Sequence, residues 1–209
     1  MIASAVLGLA LTAGGADAAA VLALLERAGR DLVTMRARFL ERKVIVLLEE
    51  TEESRGEVLL QVPGRLRWNY TAPQESALLI KDGRFERYFP KSKQVFRGPA
   101  RGEADLLVGF GPGAAGLGRK YEVSLVGEEA VVGVSAHVLE LKPRQGQASG
   151  IFAGIRLWVD KQRSIPVQTR LSEPTGDHTT IRFDDVVVNG ALPKGAFDLK
   201  LPADVVEVR

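Results

Sequence analysis

Gly56-Glu-Val-Leu-Leu-Gln-Val-Pro-Gly-Arg-Leu-Arg-Trp-Asn-Tyr-Thr-Ala-Pro73 reads as two short strands joined by a turn at Pro63-Gly64. In the second strand Leu66, Trp68 and Tyr70 alternate with Arg65, Arg67 and Asn69. A period of two puts the large apolar residues on one face and the polar, basic ones on the other. The next stretch, Leu78-Leu-Ile-Lys-Asp-Gly-Arg-Phe-Glu-Arg-Tyr-Phe-Pro90, carries an Asp82-Gly83 pair, a two-residue hairpin turn that needs positive φ.

The same texture extends along the chain. Strands are expected near 44–48, 57–62, 76–81, 84–89, 92–97, 120–126, 136–142, 152–160, 165–172 and 178–188, about eleven in all with the Trp68 strand. The acidic run Glu49 to Arg55 is expected as a solvated hairpin tip. A helix is expected over 20–34, with Leu22, Leu25, Leu32 and Val33 on one face. A short amphipathic helix is expected over 102–110, followed by a glycine-rich run to Gly118. Pro143 to Gly150 reads as a polar loop. Strand–helix alternation is lacking, which argues against a doubly wound parallel sheet.

With 209 residues the chain has room for one domain with a sizeable core. Its net charge of +2 does not point to nucleic acid. It has no cysteine, which excludes disulfides, zinc–thiolate sites and cysteine nucleophiles. Residues 1–18 resemble a secretory signal that has lost its basic start and ends at an Ala16-Asp17-Ala18 cleavage site. Residues 19–209 then form a single exported domain, and no run reaches the ~20 apolar residues of a membrane span.

Motifs that would carry chemistry fail on context. Gly111-Pro-Gly113-Ala-Ala-Gly116 spells a dinucleotide fingerprint, but no strand precedes it and Pro112 sits inside it. His137 and His178 belong to no catalytic motif and read as strand and turn residues. Asp184-Asp185 reads as a pair alternating out of a strand into water. Lys81, Arg84, Arg87, Lys91, Lys93, Arg97 and Arg101 form a basic stretch, either a solvated face or a contact for an acidic partner.

Taken in order, Pro63, Leu66, Trp68, Pro73, Asp82-Gly83 and Tyr88-Phe89-Pro90 resemble the motifs of the periplasmic lipoprotein carrier family LolA. The run from Phe183 through Asn189 and Phe197 to Leu201-Pro202 is similar to that family's ending. The resemblance spans roughly 36–208. It implies an α+β fold: an unclosed antiparallel β-barrel covered by a few helices, with an apolar cavity between them. It also implies a soluble periplasmic monomer without cofactor, metal or catalytic residues. Such a carrier takes acylated lipoproteins or lipid from an inner-membrane donor to an outer-membrane acceptor. A lipid-responsive sensor or regulator on the same fold is the alternative. The lipid-anchored acceptor LolB shares the fold but needs an N-terminal cysteine. Leu66, Trp68, Tyr70, Leu78, Ile80, Leu106, Leu107 and Phe110 are expected to line the acyl-chain site. Arg65, Arg67, Arg84 and Arg87 are candidate polar or partner contacts. The segment around Leu106, Leu107 and Phe110 is expected to act as a movable lid tethered by Gly109 to Gly118. One position departs from the family pattern: Val62 stands where carriers have an arginine tied to lid closure and cargo handover.

Overall fold

The fold follows from a long run of alternating apolar residues wrapped over one amphipathic helix. In the computed structural model, which describes residues 14–100, 107–144 and 152–208, the chain opens with helix α1 (Gly14–Arg30). Ala18, Val21, Leu25 and Gly29, spaced by three and four, form its buried face. Six strands follow: β1 (Thr34–Ile45), β2 (Glu50–Gln61), β3 (Arg65–Ala72), β4 (Ser76–Lys81), β5 (Arg84–Phe89) and β6 (Gln94–Pro99). A 3₁₀ turn at Gly111–Ala114 and the one-turn helix α2 (Leu117–Lys120) lead into β7 (Tyr121–Val131). Strands β8 (Val134–Pro143), β9 (Gly154–Asp160), β10 (Pro166–Ser172), β11 (His178–Val188) and β12 (Val206–Val208) complete the order.

All twelve strands form one sheet, ordered β12-β6-β5-β4-β3-β2-β1-β11-β10-β9-β8-β7. Neighbours are antiparallel except β12, which lies parallel to β6. The first and last strands of the sheet do not pair, so the barrel is open. The concave side carries the main core, against which α1 and the segment from Leu107 to Leu117 pack. On the convex side the C-terminal tail lays Ala196 and Phe197 over Leu59 and Leu79. Asp82 and Gly83 both adopt positive φ (52° and 73°), as their hairpin requires.

Several expectations need correction. The helix ends at Arg30, and β1 already runs from Thr34, where Met35, Ala37 and Phe39 alternate inward between exposed Arg36 and Arg38. The hairpin tip is not the acidic run. Val46–Leu48 make a 3₁₀ turn closed by Glu49 in the left-handed region (φ 53°), while Glu50, Glu52 and Glu53 lie within β2. The β-branched texture of 44–48 conceals this turn, because a single left-handed residue is enough to reverse the chain. The eleven expected strands all form, and among the described residues the short β12 adds a twelfth. Leu107 to Phe110 run through turns and not an α-helix, since Gly109 takes φ 89°. The rest of the expected 102–110 helix, most of the 143–150 loop and residues 1–13 lie outside the described residues. Within the stretch expected as a signal, α1 begins at Gly14 and Ala18 is buried.

Gly56 permits β2 to lie close against β3. It lies at the β2 irregularity, and a Cβ there would meet the Asn69 carbonyl oxygen at 1.8 Å and the Phe39 ring at 3.0 Å. Backbone cannot yield as a side chain can. Gly56→Ala is therefore expected to lower unfolding free energy by about 2–3 kcal/mol. Urea denaturation measures this, and an unchanged midpoint would mean that β2 and β3 relax apart at no cost.

Candidate functional site

The concave face is assembled by register. Leu66 sits opposite Leu60 and Ile80, Trp68 opposite Val58 and Leu78, and Tyr70 opposite Gly56 and Ser76. Each pair shares a face because antiparallel partners point to the same side. Leu66, Leu78 and Ile80 are buried, and Trp68 is fully buried. From β1 and β11, Phe39 and Phe183 complete an aromatic cluster: Phe39 lies 4.9 Å from Trp68 and 5.2 Å from Tyr70, centroid to centroid, and Phe183 lies 6.3 Å from Trp68. Phe110 stacks edge-on against Phe183 at 5.0 Å, so the segment after β6 reaches the middle of the barrel.

That segment fills the concave face. Leu107, Val108, Phe110, Ala114 and Leu117 are all buried in the same core as Trp68. Its backbone is turned on itself by bonds from Phe110 N to Leu107 O (3.0 Å) and Gly113 N to Phe110 O (2.9 Å). Gly29 of α1 forms the notch that seats it: a Cβ at Gly29 would meet Ala114 Cβ and Gly111 O at 2.7 Å. The glycine run is thus a packed insert, not a projecting loop. Val62 presents its side chain to Gly111, where a Cβ would meet Val62 Cγ2 at 3.1 Å. The contact that holds the segment at this point is apolar. Leu106 lies outside the described residues.

Burial falls off along the strands toward the β1–β2 tip. Met35, Ala37 and Phe39 are buried, whereas Glu41, Lys43 and Ile45, the next residues on the same face, are half-buried. Tyr70, Phe89 and Phe96 at this end are also half-buried, and Arg87 is exposed. A groove of about 710 Å³ opens beside them between Pro73-Gln74-Glu75 and Pro90-Lys91. The concave face therefore has a closed, apolar end near α1 and an open, partly polar end. Tyr70 Oη donates to Glu41 Oε2 at 3.3 Å. Burial pushes the Glu41 carboxyl above its ordinary 4.5, against the lowering effect of the Tyr70 bond and the Arg87 charge. Burial and the adjacent Glu41 charge likewise raise the Tyr70 phenol. Two buried polar atoms on the concave face, Trp68 Nε1 and Thr169 Oγ1, have no hydrogen-bond partner among the described residues.

The four arginines divide. Arg67 is half-buried on the convex face, bonded to Asn69 Oδ1 (2.8 Å) and to the tail carbonyls of Ala196 (3.1 Å) and Asp198 (3.2 Å). It is a clasp for the C-terminal tail. Arg65 is exposed and reaches Gln61 Oε1 at 3.4 Å. Arg84 is exposed, and Arg87 caps the Phe89 ring at 5.3 Å on the concave side. Phe39, Phe183 and Glu41 are missing from the set expected from sequence. The alternation from Met35 to Lys43 carried the signal for Phe39 and Glu41. His137 lies in β8, 3.3 Å from Glu128 but out of hydrogen-bond alignment, and His178 opens β11. Among the described residues no group of three or more His, Asp or Glu could hold a metal, and no helix is long and apolar enough to cross a membrane.

The fold is an open antiparallel barrel closed over a helix and a packed apolar segment, and comparison gives the family. The family model "Outer membrane lipoprotein carrier protein LolA" matches residues 30–200, and the chain belongs to this family. An outer-membrane lipoprotein carrier protein of Alkalilimnicola ehrlichii is 28% identical over 196 residues, covering 92% of this chain and 86% of that protein. One of Chromohalobacter salexigens is 28% identical over 165 residues, covering 76% and 73%. Among solved structures, a conserved protein of Thermus thermophilus has the same fold with TM-score 0.59 at 16% identity, covering 92% of this chain and 99% of that one.

A raised carboxylate sets a pH dependence. The folded state holds the Glu41 proton to higher pH than the unfolded state. Stability therefore falls as pH rises from 4.5 through the raised value. Glu41→Gln copies the protonated form. It is expected to leave stability unchanged below pH 4 and to raise it near neutrality, with the difference growing across that window. Thermal melts of both proteins at several pH values test this, and a constant difference would mean that Glu41 titrates normally.

Proposed function

We propose that this protein is a periplasmic carrier that shelters the acyl chains of lipoproteins, or of another lipid, against the concave face of its sheet. The observation that carries the reading is the filling of that face. An apolar surface large enough for acyl chains is occupied by a short, glycine-rich segment held by packing and a few local bonds. Its withdrawal exposes Leu107, Val108, Phe110 and Leu117, at about 1.5–3 kcal/mol each, which the burial of acyl chains in their place offsets. The face runs from the aromatic cluster toward an open end, so cargo chains can enter along it as the segment from Leu107 to Leu117 withdraws. The family match supports the same reading.

The physical need is plain. Burying a CH₂ contributes about 0.8 kcal/mol, so one sixteen-carbon chain in water costs on the order of 12 kcal/mol. A lipoprotein with several chains crosses an aqueous space only with a dry surface to hold them. On this reading the protein is a soluble, exported monomer without cofactor or catalytic residue. It receives cargo from an inner-membrane donor and gives it up to an outer-membrane acceptor. Leu66, Trp68, Leu78 and Ile80 form the bed for the chains. Tyr70, with Glu41 and Arg87, marks the level where the apolar bed gives way to polar surroundings.

Loading of an acylated peptide separates the contributions. Leu66→Glu places an unpaired charge against the chains and should weaken loading by more than about a hundredfold in protein whose circular dichroism is unchanged. Phe110→Ala weakens the competing segment and should tighten loading about tenfold, because less of the protein is held closed. His137→Ala and His178→Ala should load and transfer as the wild type does. Turnover lost with a histidine while loading survives would mean an enzyme, and the carrier reading would fall.

A further inference from the structure

The β1–β2 hairpin ends in a feature that the concave site does not use. Val46, Leu47 and Leu48 are consecutive and 50%, 90% and 59% exposed. The other half-exposed large apolar residues described, such as Leu24, Val33, Val132 and Val206, stand singly. Lone exposed apolar residues need no explanation, but three in a row at an apex do. The tip is also held in shape. Val46 N donates to Asp177 Oδ1 at 2.9 Å, and Glu49 N closes the turn on Val46 O at 3.2 Å. The β1–β2 ladder beneath it pairs without a break from Thr34/Gln61 to Ile45/Glu50. The apolar residues are therefore presented, not left over from a loose loop.

Two observations select the occupant. Charges follow closely on both sides: Arg42 and Lys43 on β1, below Val44 and Ile45, and Glu49 in the turn with Glu50, Glu52 and Glu53 on β2. Three apolar residues at an apex offer far less than the ~800 Å² per partner that a stable protein interface buries. A narrow apolar wedge with a charged collar fits the acyl–headgroup boundary of a bilayer, where apolar side chains enter and charges stay at the surface. The second observation is position. The tip projects from the end of the sheet at which the concave face is open, where Glu41, Lys43, Tyr70 and Phe89 are half-buried.

We infer that Val46-Leu47-Leu48 inserts into a lipid bilayer and sets the open end of the concave face against the membrane surface. The inference deepens the carrier reading and rests on it for its purpose. Binding is driven by the apolar tip. Four carboxylates against two cations in the collar give no preference for anionic lipid.

Flotation of the full chain with vesicles of phosphatidylcholine, alone or with phosphatidylglycerol, tests this. The wild type should float with both. Leu47→Glu combined with Leu48→Glu should lose about tenfold or more of the vesicle affinity. Because both side chains are exposed, its melting temperature and its affinity for a soluble acylated peptide should be unchanged. Leu47→Trp should show a blue shift on vesicles and quenching by brominated acyl chains, over and above the wild type, whose Trp68 and Trp158 are buried. Absence of wild-type flotation, equal flotation of the double variant, or no added quenching would overturn the inference. Vesicle binding through the tip without any loading of acylated peptide would instead uphold it and remove the carrier reading.

Discussion

The burial of Trp68 is the interaction on which the rest depends. Its ring is enclosed by Phe39 on β1, Phe183 on β11 and the facing pairs Val58 and Leu78 on β2 and β4. Five strands thus share one centre, although β4 and β11 are far apart in sequence. Aromatic pairs at such distances add about 0.5–1.5 kcal/mol each beyond the area they bury. Phe110 joins the cluster through Phe183, which ties the segment after β6 to the same centre. An interior that closes on this segment can equally close on something else of the same polarity. Among the described residues Trp68 Nε1 has no hydrogen-bond partner.

Competition between two fillings gives a carrier its reversibility. A pocket that stood empty would bind acyl chains with the whole hydrophobic gain and release them slowly. One filled by its own chain returns part of that gain on release, because Leu107, Val108, Phe110 and Leu117 rebury. Cargo can then move between partners of graded affinity without a chemical step. The seat of the segment is suited to this. Its contacts with α1 and with Val62, just after β2, run through Gly29 and Gly111 by shape, and Gly116 N donates to Glu26 Oε1 of α1 at 3.2 Å. On the carrier reading, the apolar contact at Val62 would make closure depend on packing, and less on ionic strength than an arginine latch would.

The central sheet was legible because its signals are local. The alternation of Leu66, Trp68 and Tyr70 marks one apolar face, and Asp82-Gly83 marks the hairpin between β4 and β5, whereas which face turns inward depends on pairing across strands. The hairpin tip was not legible. Val44 to Leu48 carries β-branched and apolar residues, and only the left-handed Glu49 ends the strand. The early start of β1 was hidden for the opposite reason. Arg36 and Arg38 between Met35, Ala37 and Phe39 carry a period of two that lies against the end of a helix pattern. The role of Arg67 could not be read at all, since its partners at Ala196 and Asp198 lie 129 and 131 residues away. In the glycine run, Gly109 and Gly111 permit close packing in the closed state, opposite Gly29 of α1, which the run alone does not reveal.

The central claim is that the Leu107–Leu117 segment and cargo chains occupy the same face in turn. Hydrogen exchange at the amides of Gly109, Phe110, Gly113 and Ala115, with and without a bound acylated peptide, tests it most directly. These amides bond within the buried segment. They should be protected in the free protein and lose protection when the peptide binds. Protection that stays the same or increases while the peptide is demonstrably bound would contradict the account and make the segment a fixed part of the core.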